Sequence, residues 1–162
     1  MTLPASAQRV VDAAVAADLP IDVVEFPDGT RTADDAARAV GVEVGQIVKS
    51  LVFSVNGETV LALVSGANRL DERALARASG SESAAVGRLD ADTVREATGF
   101  AVGGVPPFGH RTSLPTFVDR DLLRYETVWA AAGTPRHVFS TTTDALVRIT
   151  GATVADLRTQ SR

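Results

Sequence analysis

The sequence predicts an α/β domain in which helices pack around one mixed β-sheet, curved or closed. Three observations carry this. Helical and strand patterns are interspersed along the chain without the strict alternation of a doubly wound fold. Asn56-Gly57 separates two strand-like runs, and this dipeptide is a strong signal for a tight antiparallel hairpin. The second of those runs, Val60-Leu61-Ala62-Leu63-Val64, is apolar on both faces and so predicts a central strand.

The elements follow in order. Val10, Val11, Ala14, Val15 and Ala17 recur at helical spacing and predict a helix over Ser6–Asp18, with Pro20 beyond its end. Ile21–Phe26 reads as a strand closed by a turn at Pro27-Asp28-Gly29. Thr32-Ala33-Asp34-Asp35 resembles a capping box, and the short helix after it stops at Gly41. The hairpin strands are Ile47–Val55 and Glu58–Ser65. Asp71 caps a helix through Ser79, and Asp90 caps another through Thr98, ended by Gly80 and Gly99. Phe100–Gly109 begins strand-like and becomes rich in Gly and Pro. Pro115–Asp119, Thr127–Ala131 and Arg136–Ser140 are further strands. Thr141–Asp144 forms a second capping box for a helix ending near Gly151, and Thr153–Arg158 is a last helical piece.

Composition narrows the function. A chain of 162 residues fits one domain spanning 1–162, with length enough for a real core. There is no cysteine, which removes disulfides, thiol nucleophiles and Cys-ligated zinc. No apolar run approaches the ~20 residues that span a bilayer, and no secretory signal is visible, so the expected location is the cytoplasm, with no membrane partner. The net charge of −4 argues against a protein that coats nucleic acid, although a local basic rim can still meet a few phosphates. P-loop, GxGxxG and Gly-x-Ser-x-Gly fingerprints are absent.

Lys49 is the most informative residue. Of 16 basic side chains, 15 are Arg and Lys49 is the sole lysine. Strand periodicity places it on one face with Ile47, Leu51, Phe53 and Val55. Two readings are open: the side chain snorkels to solvent from a strand end, or a compact ammonium of adjustable pKa is wanted there. Gly103-Gly104-Val105-Pro106-Pro107-Phe108-Gly109-His110 is the second feature. Its glycines allow positive φ and close backbone approach and its prolines stiffen the run, so it reads either as a plain turn or as a loop presenting backbone groups to a ligand. His110 and His137 have no metal-ligand spacing, so no metal or other cofactor is expected. His110 closes the Gly/Pro loop, whereas His137 beside Val138 and Phe139 reads as packed. Arg69, Arg73 and Arg77 recur at helical spacing, as a phosphate-binding ridge or a solvated face.

These residues together resemble the YbaK/ProX family, which includes editing domains of some bacterial prolyl-tRNA synthetases and free-standing relatives. The likeness runs from Thr32-Ala33-Asp34-Asp35 and Gly41-Val42 through Gln46-Ile47-Val48-Lys49-Ser50-Leu51-Val52-Phe53. It continues in Ser65-Gly66, Leu70-Asp71, Thr98-Gly99-Phe100, the Gly103–His110 loop, Leu114-Pro115 and Asp119, and ends in Ala132-Gly133-Thr134. The resemblance implies a compact α/β domain with a mixed, barrel-like sheet surrounded by helices. It implies hydrolysis of the ester joining a wrong amino acid to the 3′-terminal ribose of a tRNA. Lys49 would then hold the tRNA end or the aminoacyl group, with Ser50 beside it. Gly103 and Pro107 would match the family's Gly-x-x-x-Pro loop, with Gly104 and His110 belonging to the same loop, and Asp144 would match an acidic residue near the pocket. Phe26 stands where cysteinyl-editing members carry a tyrosine, and the Asn and His pattern of the alanine-editing branch is not found. The implied partner is the tRNA acceptor end with its amino acid, supplemented by a synthetase or an elongation factor. The rival reading is a non-catalytic module that binds an aminoacyl-tRNA end or a small ligand.

Overall fold

A computed structural model describes residues 2–26 and 32–159. Five helices surround two sheets. The helices are α1 (Ala5–Ala16), α2 (Ala33–Val40), α3 (Glu72–Ala78), α4 (Ala91–Thr98) and α5 (Thr143–Thr150). The strands are β1 (Val23–Glu25), β2 (Val48–Val55), β3 (Glu58–Ser65), β4 (Val86–Arg88), β5 (Thr116–Asp119), β6 (Thr127–Ala131), β7 (His137–Thr142) and β8 (Thr153–Ala155).

The five-stranded sheet has the order β4-β2-β3-β5-β8. The β2–β3 hairpin is antiparallel, with Lys49 opposite Val64 and Val55 opposite Glu58. Asn56 (φ 50°) and Gly57 (φ 81°) both take positive φ, as the tightest hairpin turn requires. β3 is central and buried over nearly its whole length, which explains its lack of a polar face. β5 and β8 add in parallel, so the sheet is mixed. The second sheet, β1-β7-β6, is antiparallel. An isolated parallel bridge from Ile47 to Trp129 ties it to the start of β2. The described strands therefore form two linked sheets, and no closed barrel is found among them.

Three of the four predicted N-caps hold. Thr32, Asp71 and Asp90 each accept a backbone N–H in the first turn of α2, α3 and α4, and Gly41 and Gly99 end α2 and α4 in the left-handed region. Such a cap contributes about 1 kcal/mol. The cap of α5 is Thr142 rather than Thr141. α1 stops at Ala16, because Asp18 takes φ 60° and breaks the helix. The turn expected at Pro27-Asp28-Gly29 lies outside the described residues.

Two expectations are overturned. Phe100–Gly109 forms no strand: Gly103 takes φ 91°, and Pro106 and Pro107 have no N–H to give to a ladder. Thr153–Arg158 is not helical. The β-branched pair Thr153-Val154 instead extends beside β5 as β8.

The main core lies between the sheets and α1, around Phe100, Phe108, Phe139, Leu61, Leu63 and Leu122. A second cluster, with Phe53, Val55, Leu75 and Leu157, covers the opposite face of β2 and β3. Leu51, Phe53 and Val55 all belong to this second side, as the alternation from Lys49 predicts.

Candidate functional site

β2 carries Lys49 to a point where two cavities meet. The first, of about 400 Å³, has apolar walls that include Phe26, Ala36, Val40, Ile47, Trp129 and Val138, with the hydroxyls of Thr32, Ser50 and Thr134 added. No carboxylate or imidazole lines it among the described residues. The second, of about 540 Å³, is more polar and includes Arg69, Glu72 and Arg88 in its wall. Lys49, Ser50, Leu51, Val102, Gly103 and Val105 line both. Volumes of this size suit a small organic group.

Lys49 is half-buried and its Nζ donates to the main-chain carbonyl of Asn68. Burial holds the ammonium below its ordinary pKa. The Asp119 carboxylate works against that fall and the Arg69 guanidinium adds to it. A buried network sets this arrangement. Asp119, fully buried, accepts from Ser65 N at 3.1 Å and from Asn68 Nδ2 at 2.8 Å through one oxygen, and from Asp121 N at 3.1 Å through the other. Asn68 Nδ2 also reaches Asp121 Oδ2 at 2.8 Å. Ser65 Oγ donates to Gly45 O at 2.8 Å, which fixes the end of β3. With one ammonium hydrogen on Asn68, two remain for a ligand.

The Gly103–His110 loop closes the site from the other side. Gly103 faces both cavities. A Cβ on Gly104 would lie 2.7 Å from Thr134 Cα and 2.8 Å from Gly133 O, so glycine lets the loop press on the Gly133–Pro135 turn. Thr134 and Pro135 in turn line the first cavity.

The predicted site residues divide into two groups. Lys49, Ser50, Gly103 and Phe26 are brought together at the cavities, with Phe26 in the wall of the first. The Ser50 hydroxyl oxygen is buried and has no hydrogen-bond partner among the described residues. Gly104, Pro107, His110 and Asp144 line neither cavity. Gly104 and Pro107 are buried in the loop's support. His110 donates from Nε2 to Pro106 O at 2.7 Å, sits edge-on to Phe100, and is pushed to a lower pKa by burial, against the opposing hydrogen bond. Asp144 is exposed on α5. His137 is packed, as predicted, with Nδ1 at 2.6 Å from Thr134 Oγ1. Asn68 and Asp119, which anchor Lys49, were not singled out by sequence reasoning as site residues. Their signal is weak: an Asn after the Ser65-Gly66 turn, and an Asp at a strand end.

A partly desolvated ammonium set between an apolar chamber and a polar one suits a ligand with an uncharged head and an anionic or ester-bearing tail. The comparisons agree with that class. The family model for the aminoacyl-tRNA editing domain matches residues 27–149. A crystal structure of a candidate trans-editing enzyme for prolyl-tRNA synthetase is 51% identical with a TM-score of 0.92, covering 98% of this chain and 100% of that one. EbsC of Enterococcus faecalis, a candidate Cys-tRNA(Pro)/Cys-tRNA(Cys) deacylase, is 29% identical over 131 residues, or 80% of this chain and 78% of that protein. The proline–tRNA ligase of Maridesulfovibrio salexigens is 35% identical over 111 residues, which are 68% of this chain and 18% of that enzyme. The chain belongs to the aminoacyl-tRNA editing domain family, whose members are hydrolases acting on aminoacyl-tRNA.

Proposed function

We propose that this protein deacylates mischarged tRNA in trans, as a single cytoplasmic domain acting on the acceptor end, with Lys49 at the reaction centre. The observation that carries the reading is the half-buried Lys49 ammonium at the junction of the two cavities. Water attacks the carbonyl carbon of the aminoacyl ester, the bond from that carbon to the ribose oxygen breaks, and the ribose oxygen takes a proton. The products are a free amino acid and a tRNA with its terminal hydroxyl restored. Lys49 stabilises the negative charge that develops on the carbonyl oxygen.

An aminoacyl ester is activated, so placement of ester and water supplies much of the rate. The absence of a carboxylate or imidazole among the described residues of the first cavity fits a reaction in which the substrate's own amino group or ribose hydroxyl accepts the water proton. The apolar walls suit an uncharged amino-acid side chain, and Phe26 offers no hydroxyl to it. Loop residues Gly103 and Pro107 shape this cavity, the first as lining and the second as support. The bridge from Ile47 to Trp129 that ties the two sheets supports reading them as a barrel-like frame around the site. A synthetase or an elongation factor is the protein partner that would present the charged tRNA.

Single-turnover deacylation of a panel of mischarged tRNAs tests the reading. Release of a small uncharged amino acid, faster than the uncatalysed rate, is expected, with Asp, Glu, Lys and Arg esters left intact. Tight binding of the charged tRNA without turnover across the panel would instead make the protein a binding module.

A further inference from the structure

The second cavity departs from the electrostatics of the chain around it. The protein carries a net charge of −4, yet Lys49, Arg69 and Arg88 line this one chamber with Glu72 as its acid. Arg38 is engaged with Asp35, Arg77 with Glu82, Arg158 with Asp121 and Arg9 with Gly99 O, and of the arginines that have no such partner among the described residues only Arg69 and Arg88 line this cavity. Among the described residues the guanidinium groups of Arg69 and Arg88 make no ion pair and no side-chain hydrogen bond, Glu72 included. Two unpaired cations in one cavity wall leave a local positive field that a polyanion can fill.

Their placement has a direction. Arg69 directly follows Asn68, whose carbonyl holds Lys49, and its charge is felt at Lys49. The Arg69 main chain is fixed, because its carbonyl accepts from Thr159 N at 2.8 Å and from Thr159 Oγ1 at 3.3 Å. Arg88 is paired with Phe53 on β2, four residues along the strand from Lys49, or about 13 Å of extended chain. The three cations thus run from the junction outward along the second cavity. A small anion would meet one of them, whereas a chain of phosphates would meet them in succession. The first cavity has no cation besides Lys49 among the described residues.

We propose that Arg69 and Arg88 are backbone-phosphate contacts for the 3′-terminal nucleotides of the tRNA, and that the second cavity is the nucleotide chamber. The inference rests on the deacylase reading and adds the direction of approach: amino acid into the apolar chamber, RNA strand out along β2 and β4, ester at Lys49 between them.

The test uses Arg69→Gln, Arg88→Gln and the double variant, with Arg124→Gln, exposed on the turn after β5 and in the wall of neither cavity, as control. Two substrates are compared: the mischarged tRNA(Pro) that the wild-type protein hydrolyses best in the panel, and the same amino acid esterified to adenosine, which has no phosphate. On tRNA each single variant is expected to lose about tenfold in kcat/KM through KM, and the double variant more. The slope of log K against log salt for binding uncharged tRNA(Pro) should fall by roughly 0.7 for each arginine removed. Rates on the aminoacyl-adenosine, measured at a pH below the alkaline limb that Arg69 helps to set through Lys49, should match wild type. Equal losses on both substrates, or wild-type KM and salt slope on tRNA in the double variant, would overturn the assignment and leave both arginines as solvated rim. If the wild-type protein hydrolyses nothing, the deacylase reading fails, and the salt slope for uncharged tRNA(Pro) still decides the phosphate contacts.

Discussion

Replacing Asp119 by Asn isolates the charge beneath Lys49 while keeping nearly the same volume. Both carboxylate oxygens accept N–H groups: Ser65 N and Asn68 Nδ2 on one, Asp121 N on the other. An amide must turn its NH2 toward one of these donors. The lesser loss puts the NH2 against Asp121 N and leaves that donor unpaired, at about 1–3 kcal/mol. The two remaining bonds lose their charge assistance, so the total is about 2–4 kcal/mol. A domain of this size has stability on the order of 5–15 kcal/mol, so the variant should fold. Its effect on activity follows from sign. Lys49 acts as the protonated ammonium, so the rate falls as pH rises through its pKa, which burial already sets below 10.5. Asp119 raises that pKa, and its neutralisation lowers it further. The alkaline limb of the single-turnover rate should therefore move to lower pH in Asp119→Asn, while urea unfolding shows the stability loss. A variant as stable as wild type, with an unmoved alkaline limb, would refute the claim that Asp119 and Asn68 hold and charge Lys49.

Other outcomes follow from the loop and from the lysine's burial. Gly104→Ala drives a Cβ into the backbone of Gly133 and Thr134 and should cost about 1–3 kcal/mol in thermal unfolding, with reduced deacylation because Gly103 moves with it. His110 has a folded-state pKa below 6.5, so its contribution is fully present above 6.5 and is lost as pH falls toward that lowered value. His110→Gln should flatten the stability profile across that acid range, as read by urea midpoints. Lys49→Met removes a half-buried ammonium whose charged form is disfavoured, so its melting temperature at neutral pH should equal or exceed that of wild type while activity is lost.

Local chemistry made much of this fold legible. Asn56-Gly57 fixes a hairpin by its positive φ values, and Thr32, Asp71 and Asp90 declare helix starts because each needs only a neighbour within three residues. Lys49 stood out through composition and through the two-residue period of its strand. Tertiary features were hidden. β4 is only Val86-Gly87-Arg88, too short and glycine-containing to read, and exists because β2 offers it an edge. β8 forms where the sequence alone reads as helical, because β5 supplies a parallel partner more than thirty residues earlier. The Lys49 anchor links Asn68 to Asp119 across 51 positions, a distance no local pattern spans. The meeting of two cavities at Lys49 depends on Gly103 and Val105 arriving from a loop that the sequence described only as turn-rich.

The central claim is that a compact ammonium at position 49 carries the reaction, and Lys49→Arg measured beside Lys49→Ala tests it most directly. Arg keeps the charge in a larger, planar group, and this chain uses Arg for its other 15 basic side chains, so a merely snorkelling lysine would accept the change. In single-turnover deacylation of the preferred mischarged tRNA, the account predicts near-complete loss in Lys49→Ala. It predicts a drop on the order of a hundredfold in Lys49→Arg, from a charge misplaced by ~1 Å, with both proteins folded. Wild-type rates in both variants would contradict it and remove Lys49 from the mechanism.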